Sequence, residues 1–382
     1  MQKEKVFVLA PDSFKESMTA KQVCVAMEAG LRKVFPDATY IHVPMADGGE
    51  GTVQSLVDAT GGQIRTLRVM GPLGTDVEAS YGIMGGGEIA VIEMAAASGI
   101  HLVSATTKNP LRTTTFGTGQ LIKDCLDQGI RKIILGIGGS ATNDGGAGMA
   151  MALGVKFFDA AGQSVGFGGG ELGQIQAIDM SGFDQRLNGV ELVVACDVTN
   201  PLCGPQGASA VFGPQKGATP EMVKQLDANL AHYAREIARE LDRHVADLPG
   251  AGAAGGMGAG LMAFTHCQLQ RGIDIVVEYT GLRDKLASAD LCFTGEGRID
   301  FQTQFGKTPY GVAQVAKAHQ VPVIAVSGCI GEGTEVLHEV GIDAIFNIIP
   351  NASNIEELLQ NGAVNMERAC ENIGRLLKLA AC

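Results

Sequence analysis

The sequence predicts an α/β protein with a Rossmann-like, doubly wound parallel sheet, and three observations support this class. The chain has 382 residues, more than one ordinary core accommodates, which indicates two domains. Hydrophobic residues make up 46% and charged residues 18%, so there is enough apolar material for packed cores. Short apolar runs alternate with amphipathic segments at both chain ends, as in βαβ units.

The N-terminal part is predicted to alternate between strands and helices. Residues 5–10 form a continuous apolar run, as expected of a strand that is buried on both faces of a parallel sheet. Apolar residues then recur at helical spacing up to Pro36, a second strand follows at 40–45, and a short helix ends at Gly61. This order is typical of a doubly wound sheet.

The C-terminal part repeats this order. The apolar runs predict strands at 291–293, 322–326 and 344–349, with a helix at 308–319 and a further helix at the end of the chain. A glycine-rich loop is expected to follow residue 293 directly, because glycines recur in the next few positions.

The middle of the chain has a different order of predicted strands and helices. A pair of strands is predicted at 76–84 and 88–94, a helix at 117–128, and further strands at 132–137, 155–158 and 191–196. A long helix should begin at Pro220, with Thr219 as its N-cap, and run to about residue 244. The Gly/Pro-containing segment 71–75 is the predicted domain boundary, because sequence alone marks no clear linker.

Charge and cysteine usage exclude several classes of protein. The formal charge of −12 and the absence of a Lys/Arg run argue against nucleic-acid binding. The nine cysteines are odd in number and lack a C-x-x-C pair, which argues against a disulfide framework or a zinc site. The N-terminus enters a strand without a signal peptide, and no segment resembles a membrane span. We therefore expect a cytoplasmic protein, a monomer or a homodimer.

Polar residues follow the first two predicted strands, where ligands bind in parallel α/β sheets. Ser13 and Lys15 come after the first strand and are suited to hold a phosphate or carboxylate. Asp47 and Glu50 come after the second strand, in a Gly-rich segment, and are the candidate ligands for Mg²⁺.

The densest motif is the glycine-rich segment 136–146, GIGGSATNDGG, which follows a predicted strand. Such a loop can wrap an anion with its backbone amides. Its candidate phosphate- or nucleotide-binding residues are Gly138, Gly139, Ser140, Asn143 and Asp144. The segment also fits the dinucleotide fingerprint G-x-G-x-x-A, with Asp159 at about the right distance. A nicotinamide-dependent hydroxyacid dehydrogenase therefore remains an alternative.

Two further segments place polar residues after predicted strands. Asp197 ends a buried strand and could accept or orient a hydroxyl proton. The segment 294–308 resembles half of a P-loop, but Phe301 occupies the position of the first glycine and excludes a Walker A motif. Its candidates are Lys307 for a phosphate and Glu296, Arg298 and Asp300 for the substrate, with Arg298 suited to hold a substrate carboxylate.

Six blocks of the sequence together resemble the bacterial type I glycerate kinases. They are APDSFKES (10–17), MADGGEGT (45–52), GIGGSATNDGGAGMA (136–150), ACDVTNPLCGPQGA (195–208), AAGGMGAGL (253–261) and TGEGRIDFQTQFGKTP (294–309). The resemblance implies a Rossmann-like domain made from residues 1–71 and 287–382, an inserted α/β domain at 72–286, and an active site in the cleft between them. It also implies that ATP with Mg²⁺ phosphorylates D-glycerate, most often at the 2-hydroxyl, in glyoxylate or sugar-acid catabolism.

The residues and the resemblance together suggest a mechanism. Asp197, Lys15 and Asp47 are the candidate catalytic residues. Asp197 is expected to accept or orient the hydroxyl proton, and Asp47 is the next candidate for this role. Arg298 or Lys15 would hold the substrate carboxylate. A non-enzymatic sensor of small acids, built on the same sheet, is the alternative outside enzymes.

Overall fold

The computed structural model describes residues 4–380, which divide into two units. Unit 1 combines the residues up to Gly61 with those from Arg271 onward, and unit 2 spans Gly62–Gln270. Unit 2 is thus inserted between the two segments of unit 1. None of the helices among the described residues is both long and apolar enough to span a bilayer.

The strands of the described residues fall into three sheets. In chain order they are β1 (Val6–Leu9), β2 (Thr39–His42), β3 (Gln63–Met70), β4 (Asp76–Ile83), β5 (Ile89–Glu93), β6 (Lys132–Gly136), β7 (Lys156–Phe158), β8 (Ala177–Asp179), β9 (Glu191–Ala195), β10 (Gln268–Gln270), β11 (Leu291–Ile299), β12 (Val323–Ile330) and β13 (Ala344–Asn347).

The α-helices vary from a single turn to 22 residues. In chain order they are α1 (Ala20–Arg32), α2 (Thr52–Thr60), α3 (Ala95–Ser98), α4 (Phe116–Asp127), α5 (Ala147–Ala152), α6 (Ala208–Phe212), α7 (Pro220–Leu241), α8 (Ala253–Phe264), α9 (Gly272–Tyr279), α10 (Leu282–Leu286), α11 (Thr308–Ala318), α12 (Val336–Glu339), α13 (Ile355–Gln360) and α14 (Gly362–Ala380). Short 3₁₀ turns lie at Ile100–Leu102, Leu172–Gln174, Gln185–Gly189, Pro214–Lys216 and Phe301–Phe305.

Unit 1 is built on a five-stranded sheet in the order β13-β12-β11-β1-β2, and every pairing in it is parallel. Its inner strand β1 reads as a continuous apolar run because helices cover both faces of such a sheet. Phe7, Leu9 and Phe293 are buried in one core cluster with side chains of α1 and α14. These two helices pack so closely that a Cβ on Gly30 would lie 2.1 Å from the carbonyl oxygen of Glu367.

Unit 2 is built on a six-stranded mixed sheet in the order β10-β9-β6-β5-β4-β3. Strands β10, β9, β6 and β5 are parallel, whereas β4 and β3 extend the sheet as antiparallel strands. Strands β7 and β8 form a separate antiparallel pair. Phe157 of β7 stacks edge-on against Tyr233 of α7 with ring centroids 5.9 Å apart, which joins this pair to the core of the unit.

The structure confirms the predicted α/β class, with a Rossmann-like parallel-sheet domain made from both chain ends and an inserted α/β domain. It also confirms the strand pair at β4 and β5 and the N-cap of α7, where the Thr219 hydroxyl accepts a hydrogen bond from the backbone N–H of Met222.

The divisions between the units lie elsewhere than the predicted boundaries at 71/72 and 286/287. They fall after Gly61 and after Gln270. Residues 63–70 form β3, which pairs along its whole length with β4 and so belongs to unit 2. Helices α9 and α10 pack against α11, which places them in unit 1. The sequence does carry a glycine pair at the first division, Gly61-Gly62, but this pair also ends α2 and so does not by itself mark a change of unit.

The prediction of a glycine-rich loop directly after residue 293 is wrong. Strand β11 continues through Gly295 and Gly297 to Ile299, because β12 also runs on, to Ile330, and supplies backbone partners. A Cβ on Gly295 would lie 2.0 Å from the carbonyl oxygen of Val326, so glycine here serves close strand packing. The predicted end of the neighbouring strand at residue 326 is four residues too early for the same reason.

Candidate active site

The carboxyl edge of the unit 1 sheet surrounds a cavity of about 560 Å³. Parallel strands bring the segments that follow them to one edge, so residues distant in sequence meet there. Lining this cavity are the charged residues Asp12, Lys15, Asp47, Glu50, Glu296, Arg298 and Lys307, together with Ser13 and the apolar side chains of Ile348, Ile349 and Leu358. The structure thus brings together the predicted candidates of unit 1 other than Asp300.

Asp12 is held in place at the end of β1. Its Oδ1 accepts a hydrogen bond of 2.6 Å from the backbone N–H of Ser13, and its Oδ2 accepts one from the hydroxyl of Thr308. Burial raises the pKa of Asp12 to about 7, and the charges of Asp47 and Glu296 act in the same direction, while the two hydrogen bonds oppose the shift. Asp12 is therefore a carboxyl group that changes charge near neutral pH.

Glu296 and Lys307 form an ion pair beside Asp12. The Nζ of Lys307 lies 3.5 Å from Oε2 of Glu296, and Oε1 accepts a hydrogen bond of 2.8 Å from the hydroxyl of Thr303. Burial raises the pKa of Glu296, although the charge of Lys307 acts against this. Lys307 is the N-cap residue of α11, as the sequence predicts, and its side chain points to Glu296.

Asp300 has a local structural role. Its Oδ1 accepts a hydrogen bond of 3.0 Å from the backbone N–H of Gln302, which caps the 3₁₀ turn at Phe301–Phe305. Its Oδ2 accepts a hydrogen bond of 3.0 Å from Nε of Arg298. The side chain of Arg298 is 66% exposed, and its Nε alone bonds to Asp300, so its terminal nitrogens can meet a carboxylate. Asp300 therefore orients Arg298.

Lys15 and Glu50 form an exposed ion pair at the rim of the cavity. Lys15 Nζ lies 3.6 Å from Glu50 Oε2, with side-chain exposures of 71% and 75%. Such a pair contributes little to stability, so either group can exchange its partner for a ligand. Asp47 accepts a hydrogen bond of 3.0 Å from the backbone N–H of Gly49, and the left-handed φ of +94° at Gly48 gives the loop its tight bend.

The glycine-rich loop that follows β6 in unit 2 has an exposed and a buried part. Gly138 and Gly139 are exposed, and Ser140 through Asp144 are buried. Among residues 4–380, the backbone amides of Gly138 and Gly139 have no hydrogen-bond acceptor. These two amides are therefore the part of the loop that is available to an anion.

Asp144 is the anchor of this loop and is fully buried. Its Oδ2 accepts hydrogen bonds of 2.8 Å and 2.9 Å from the backbone N–H and the hydroxyl of Thr115, directly before α4. The backbone N–H groups of Gly146 and Gly148 also donate to its carboxylate. Asp144 thus occupies the anion-accepting N-terminus of α4 and presents no exposed atom to a phosphate.

A left-handed turn at the start of α8 supports the loop from behind. Ala254, Gly255 and Gly256 all have positive φ, and the carbonyl of Gly255 accepts a hydrogen bond of 3.0 Å from the backbone N–H of Gly145. A Cβ on Gly255 would lie 2.0 Å from the carbonyl oxygen of Thr142. The turn therefore brings two backbones into direct contact, which requires glycine.

Asp197 lies beyond the end of β9, at the same carboxyl edge of the unit 2 sheet as the glycine-rich loop, because β9 and β6 are parallel neighbours. It is exposed, as are Val198 and Thr199 after it. Its position agrees with the predicted strand end, and its exposure leaves the carboxylate accessible to a ligand.

Comparison with known proteins identifies the family. The model of the glycerate kinase family matches residues 7–378. A glycerate kinase of Halalkalibacterium halodurans is 55% identical over 96% of both chains, and the glycerate 2-kinase of Escherichia coli K12 is 52% identical over 97% of this chain and 98% of its own. The chain belongs to the glycerate kinase family.

A solved structure agrees with this membership. The crystal structure of a candidate glycerate kinase 2 from Salmonella typhimurium LT2 matches with a TM-score of 0.90 at 51% identity and covers 99% of both chains. As a member of the glycerate kinase family, the enzyme is a phosphotransferase that acts on an alcohol group.

The geometry of this glycerate kinase family member does not favour the dehydrogenase alternative. A dinucleotide fold needs a helix directly after the glycine motif and an acidic residue at the end of the next parallel strand. Here the regular helix α5 begins only at Ala147, and Asp159 follows β7, which pairs antiparallel with β8. The Oδ1 of Asp159 accepts hydrogen bonds from the backbone N–H groups of Ala161 and Gln163, so Asp159 stabilises a turn.

The sequence patterns did not identify two residues that the structure places at these loops. Asp12 follows a buried strand just as Asp47 and Asp197 do, so the same signal could have identified it. Lys216 is 2% exposed and donates hydrogen bonds to the glycine-rich loop. No sequence signal distinguishes Lys216, because a lysine in a Gly/Pro-rich turn is most often on the surface.

Proposed function

We propose that this enzyme transfers the γ-phosphoryl group of ATP to the 2-hydroxyl of D-glycerate, which yields 2-phospho-D-glycerate and ADP. The names of the relatives at 52–55% identity support glycerate as the acceptor, and the Escherichia coli relative is named as a glycerate 2-kinase. The observation that carries the proposal is the cavity of unit 1, where exposed cations and a carboxyl group that titrates near neutrality surround a space open to a small hydroxy acid.

Arg298 is our candidate for the substrate carboxylate, with Lys15 as a second cation. Asp300 fixes the guanidinium through Nε, and a planar fork held in this way suits bidentate binding. The ion pair of Lys15 with Glu50 is exposed and therefore exchangeable. Lys307 is less suited to the role, because Glu296 already neutralises it inside the cavity.

The nucleotide phosphates are assigned to the glycine-rich loop of unit 2. The backbone amides of Gly138 and Gly139 are exposed and without acceptors among the described residues, which is what an anion site of this kind needs. Ser140 and Asn143 belong to the buried part of the loop and act on a phosphate only through the loop conformation. Ser13 remains the candidate phosphate ligand in unit 1.

Asp197 is proposed to accept or orient the hydroxyl proton, because phosphoryl transfer needs a carboxylate near the attacking oxygen. Asp12 is the strongest competitor for this role, since its pKa of about 7 suits a proton acceptor at neutral pH. Asp47 is the third carboxylate to consider. Variants of the three separate these assignments.

Asp47 and Glu50 are proposed to hold Mg²⁺, and their oxygen donors fit this cation. Within residues 4–380, no group of three His, Cys, Asp or Glu side chains is arranged to bind a metal. This fits Mg²⁺, which usually takes one or two carboxylates together with substrate phosphates. When bound, the cation neutralises charge that develops on the transferred phosphoryl group.

Product analysis tests the proposal. Purified enzyme with ATP, Mg²⁺ and D-glycerate should form ADP and 2-phospho-D-glycerate, with the phosphorus resonance coupled to the proton on C2. A resonance coupled to the two protons on C3 would contradict the 2-hydroxyl while preserving the kinase.

Two further measurements test the alternative functions, a dehydrogenase and a sensor. A dehydrogenase would change the absorbance of a nicotinamide cofactor in the presence of a hydroxy acid, and we expect no change. A sensor would bind D-glycerate without any turnover of ATP, which would overturn the proposed activity. A cytoplasmic setting is part of the proposal, supported by the free thiols of the cysteines at 24, 125, 196, 203, 267, 292, 329 and 370.

A further inference from the structure

Lys216 of unit 2 is a buried lysine in an unusual environment. It ends the 3₁₀ turn at Pro214–Lys216, and Gly217 after it has a left-handed φ of +93°. Its side chain is almost completely buried, with 2% exposure. Lysines are rarely buried to this extent unless a carboxylate pairs with them, because taking an ammonium group out of water is costly.

The contacts of Lys216 go to the glycine-rich loop. Its Nζ donates hydrogen bonds of 2.7 Å to the hydroxyl of Ser140 and 2.7 Å to the backbone carbonyl of Thr142. Ser140 directly follows the exposed residues Gly138 and Gly139, and Thr142 comes two positions after Ser140. Lys216 therefore holds the inner side of the same short loop that presents its amides to solvent.

The charge of Lys216 lacks a direct counter-ion. Within the described part of the chain, no carboxylate oxygen lies within 4.0 Å of Nζ. The side chain of Asp144 acts on it at longer range, but hydrogen bonds from Thr115, Gly146 and Gly148 already engage that carboxylate. Burial lowers the pKa of Lys216 to about 7, although the charge of Asp144 raises it.

Polar atoms without partners lie next to this lysine. The hydroxyl of Thr142 and the side-chain carbonyl of Asn143 are buried and have no hydrogen-bond partner among residues 4–380. Native proteins rarely leave such atoms unpaired, since a buried polar atom without a partner has lost its hydrogen bonds to water. Other titratable or charged groups around the cluster include Tyr233 of α7, which packs against Gly145, Lys108, which packs against Gly217, and His101, whose ring lies against Gly99, the bridge partner of Ser140. The loop therefore has an incomplete polar interior.

We propose that Lys216 is a positioning residue that supplies the counter-charge for phosphates bound at Gly138 and Gly139, so that nucleotide binding is accompanied by proton uptake at its side-chain amine, which becomes the ammonium ion. An anion on the outer side of the loop provides the opposite charge that the protein itself does not place beside Nζ. The inference rests on the proposed binding of the nucleotide phosphates at Gly138 and Gly139. It adds a coupling between protonation and binding that the proposed reaction does not require.

The coupling predicts a direction of pH dependence. A bound anion favours the charged form of Lys216 and raises its pKa, so affinity is highest where the lysine is already protonated and falls as pH rises above 7. The terminal phosphate of the nucleotide titrates near pH 6, below this window. We expect the Kd for ADP to rise roughly tenfold to hundredfold between pH 7 and pH 9.

Isothermal titration calorimetry of the whole enzyme with ADP and Mg²⁺, in buffers of different ionisation enthalpy, measures the number of protons taken up per ADP bound. At pH 8 we expect about half a proton or more per nucleotide for the wild type. Lys216→Arg stays protonated at every pH, so it should bind ADP with no proton uptake and with a Kd that no longer depends on pH. Lys216→Met should also lose the uptake and bind more weakly. Lys224→Met, at an exposed position of α7, is the matched control and should behave as wild type.

The outcomes separate this inference from the proposed function. Wild-type binding without proton uptake, or uptake that persists in Lys216→Arg and Lys216→Met, overturns the role of Lys216, and in the second case Asp144 becomes the titrating group. If Lys216→Met does not fold, the Lys216→Arg variant and the wild-type pH profile still decide. A different result would contradict the proposed nucleotide-binding site instead. In that case the folded wild-type enzyme turns over ATP, but ADP protects residues other than 138–140 from hydrogen exchange.

Discussion

At the scale of single residues, the ionised carboxylate of Asp12 lowers the stability of the folded state, because burial raises the pKa of this group. It is held between Ser13 and Thr308, in a place where burial and two neighbouring carboxylates oppose its ionisation. Such carboxyl groups are typical of functional sites, because a purely structural position would not accumulate negative charge. The cost of the charge should be measurable as a pH dependence of stability.

Asp12→Asn should become more stable relative to wild type as the pH rises. The pKa of Asp12 is about 7 in the folded state against 3.8 for the free group, so the folded state holds an extra proton between these values. Wild-type stability therefore falls as pH rises through this window, and the full cost is present above pH 7. Because the carboxyl is partly exposed, we expect a relative gain of roughly 1–3 kcal/mol for Asp12→Asn between pH 5 and pH 8.

Urea unfolding at the two pH values, followed by circular dichroism, measures this gain. Asp37→Asn, at an exposed position of unit 1, is the control and should show no gain. A pH-independent difference between Asp12→Asn and wild type would show that folding does not raise the pKa of Asp12.

Asp197→Asn should lower kcat by roughly 10²–10⁴-fold while leaving the fold intact, if this carboxylate takes the hydroxyl proton. Because Asp197 is exposed, we expect the substitution to change the free energy of unfolding by no more than about 0.5 kcal/mol. Steady-state kinetics with ATP and D-glycerate give the answer, and Asp247→Asn, at another exposed position of unit 2, serves as control. Near-normal turnover of Asp197→Asn would transfer the role to Asp12 or Asp47.

At the scale of elements, glycine determines where strands and loops approach one another. Gly295 lets β11 run past β12 without a break, and Gly255 lets the turn at the start of α8 touch the loop after β6. Sequence patterns identify glycine clusters but not the partner that each glycine accommodates. This is why 294–299 was predicted as a loop and is a strand, whereas the loop at 138–146 was predicted correctly.

Gly255→Ala should destabilise unit 2 by more than about 3 kcal/mol. The substitution adds the strain of a left-handed φ to a Cβ placed 2.0 Å from the carbonyl oxygen of Thr142. Gly129→Ala is a matched control, because Gly129 has a similar φ of +76° but open space around it. It should cost only about 1 kcal/mol.

Urea unfolding of both variants checks the comparison, and hydrogen exchange of residues 138–146 shows whether the loop loosens. Equal costs for Gly255→Ala and Gly129→Ala would mean that the turn does not support the loop.

At the scale of the whole molecule, the sequence was sufficient to predict the fold class. It was not sufficient to predict the positions at which the chain passes from one unit to the other. Apolar runs and helical spacing predicted β1, β6, β9, α4 and α7 within a few residues. The edge strand β3 was missed because its exposed face is polar and interrupts the apolar pattern. Its membership in unit 2 follows from pairing with β4, a long-range contact that no local pattern encodes.

The candidate site was predictable to a similar degree. Strand ends indicated Ser13 and Asp47 in unit 1 and Asp197 in unit 2, because each parallel sheet brings such positions to its own carboxyl edge. The pattern could not show that Asp144 is turned inward to Thr115 or that Lys216 reaches the loop from a distant turn. Burial and hydrogen-bond partners depend on packing between distant segments, so they required the structure.

A crystal structure of the enzyme with a non-hydrolysable ATP analogue, Mg²⁺ and D-glycerate tests the central claim most directly. We predict the glycerate carboxylate on the terminal nitrogens of Arg298, within the cavity that Asp12 lines, and the phosphates on the backbone amides of Gly138 and Gly139. Phosphates bound away from those two amides, or glycerate bound outside the cavity, would contradict the assignment of the strand-end loops to the reaction.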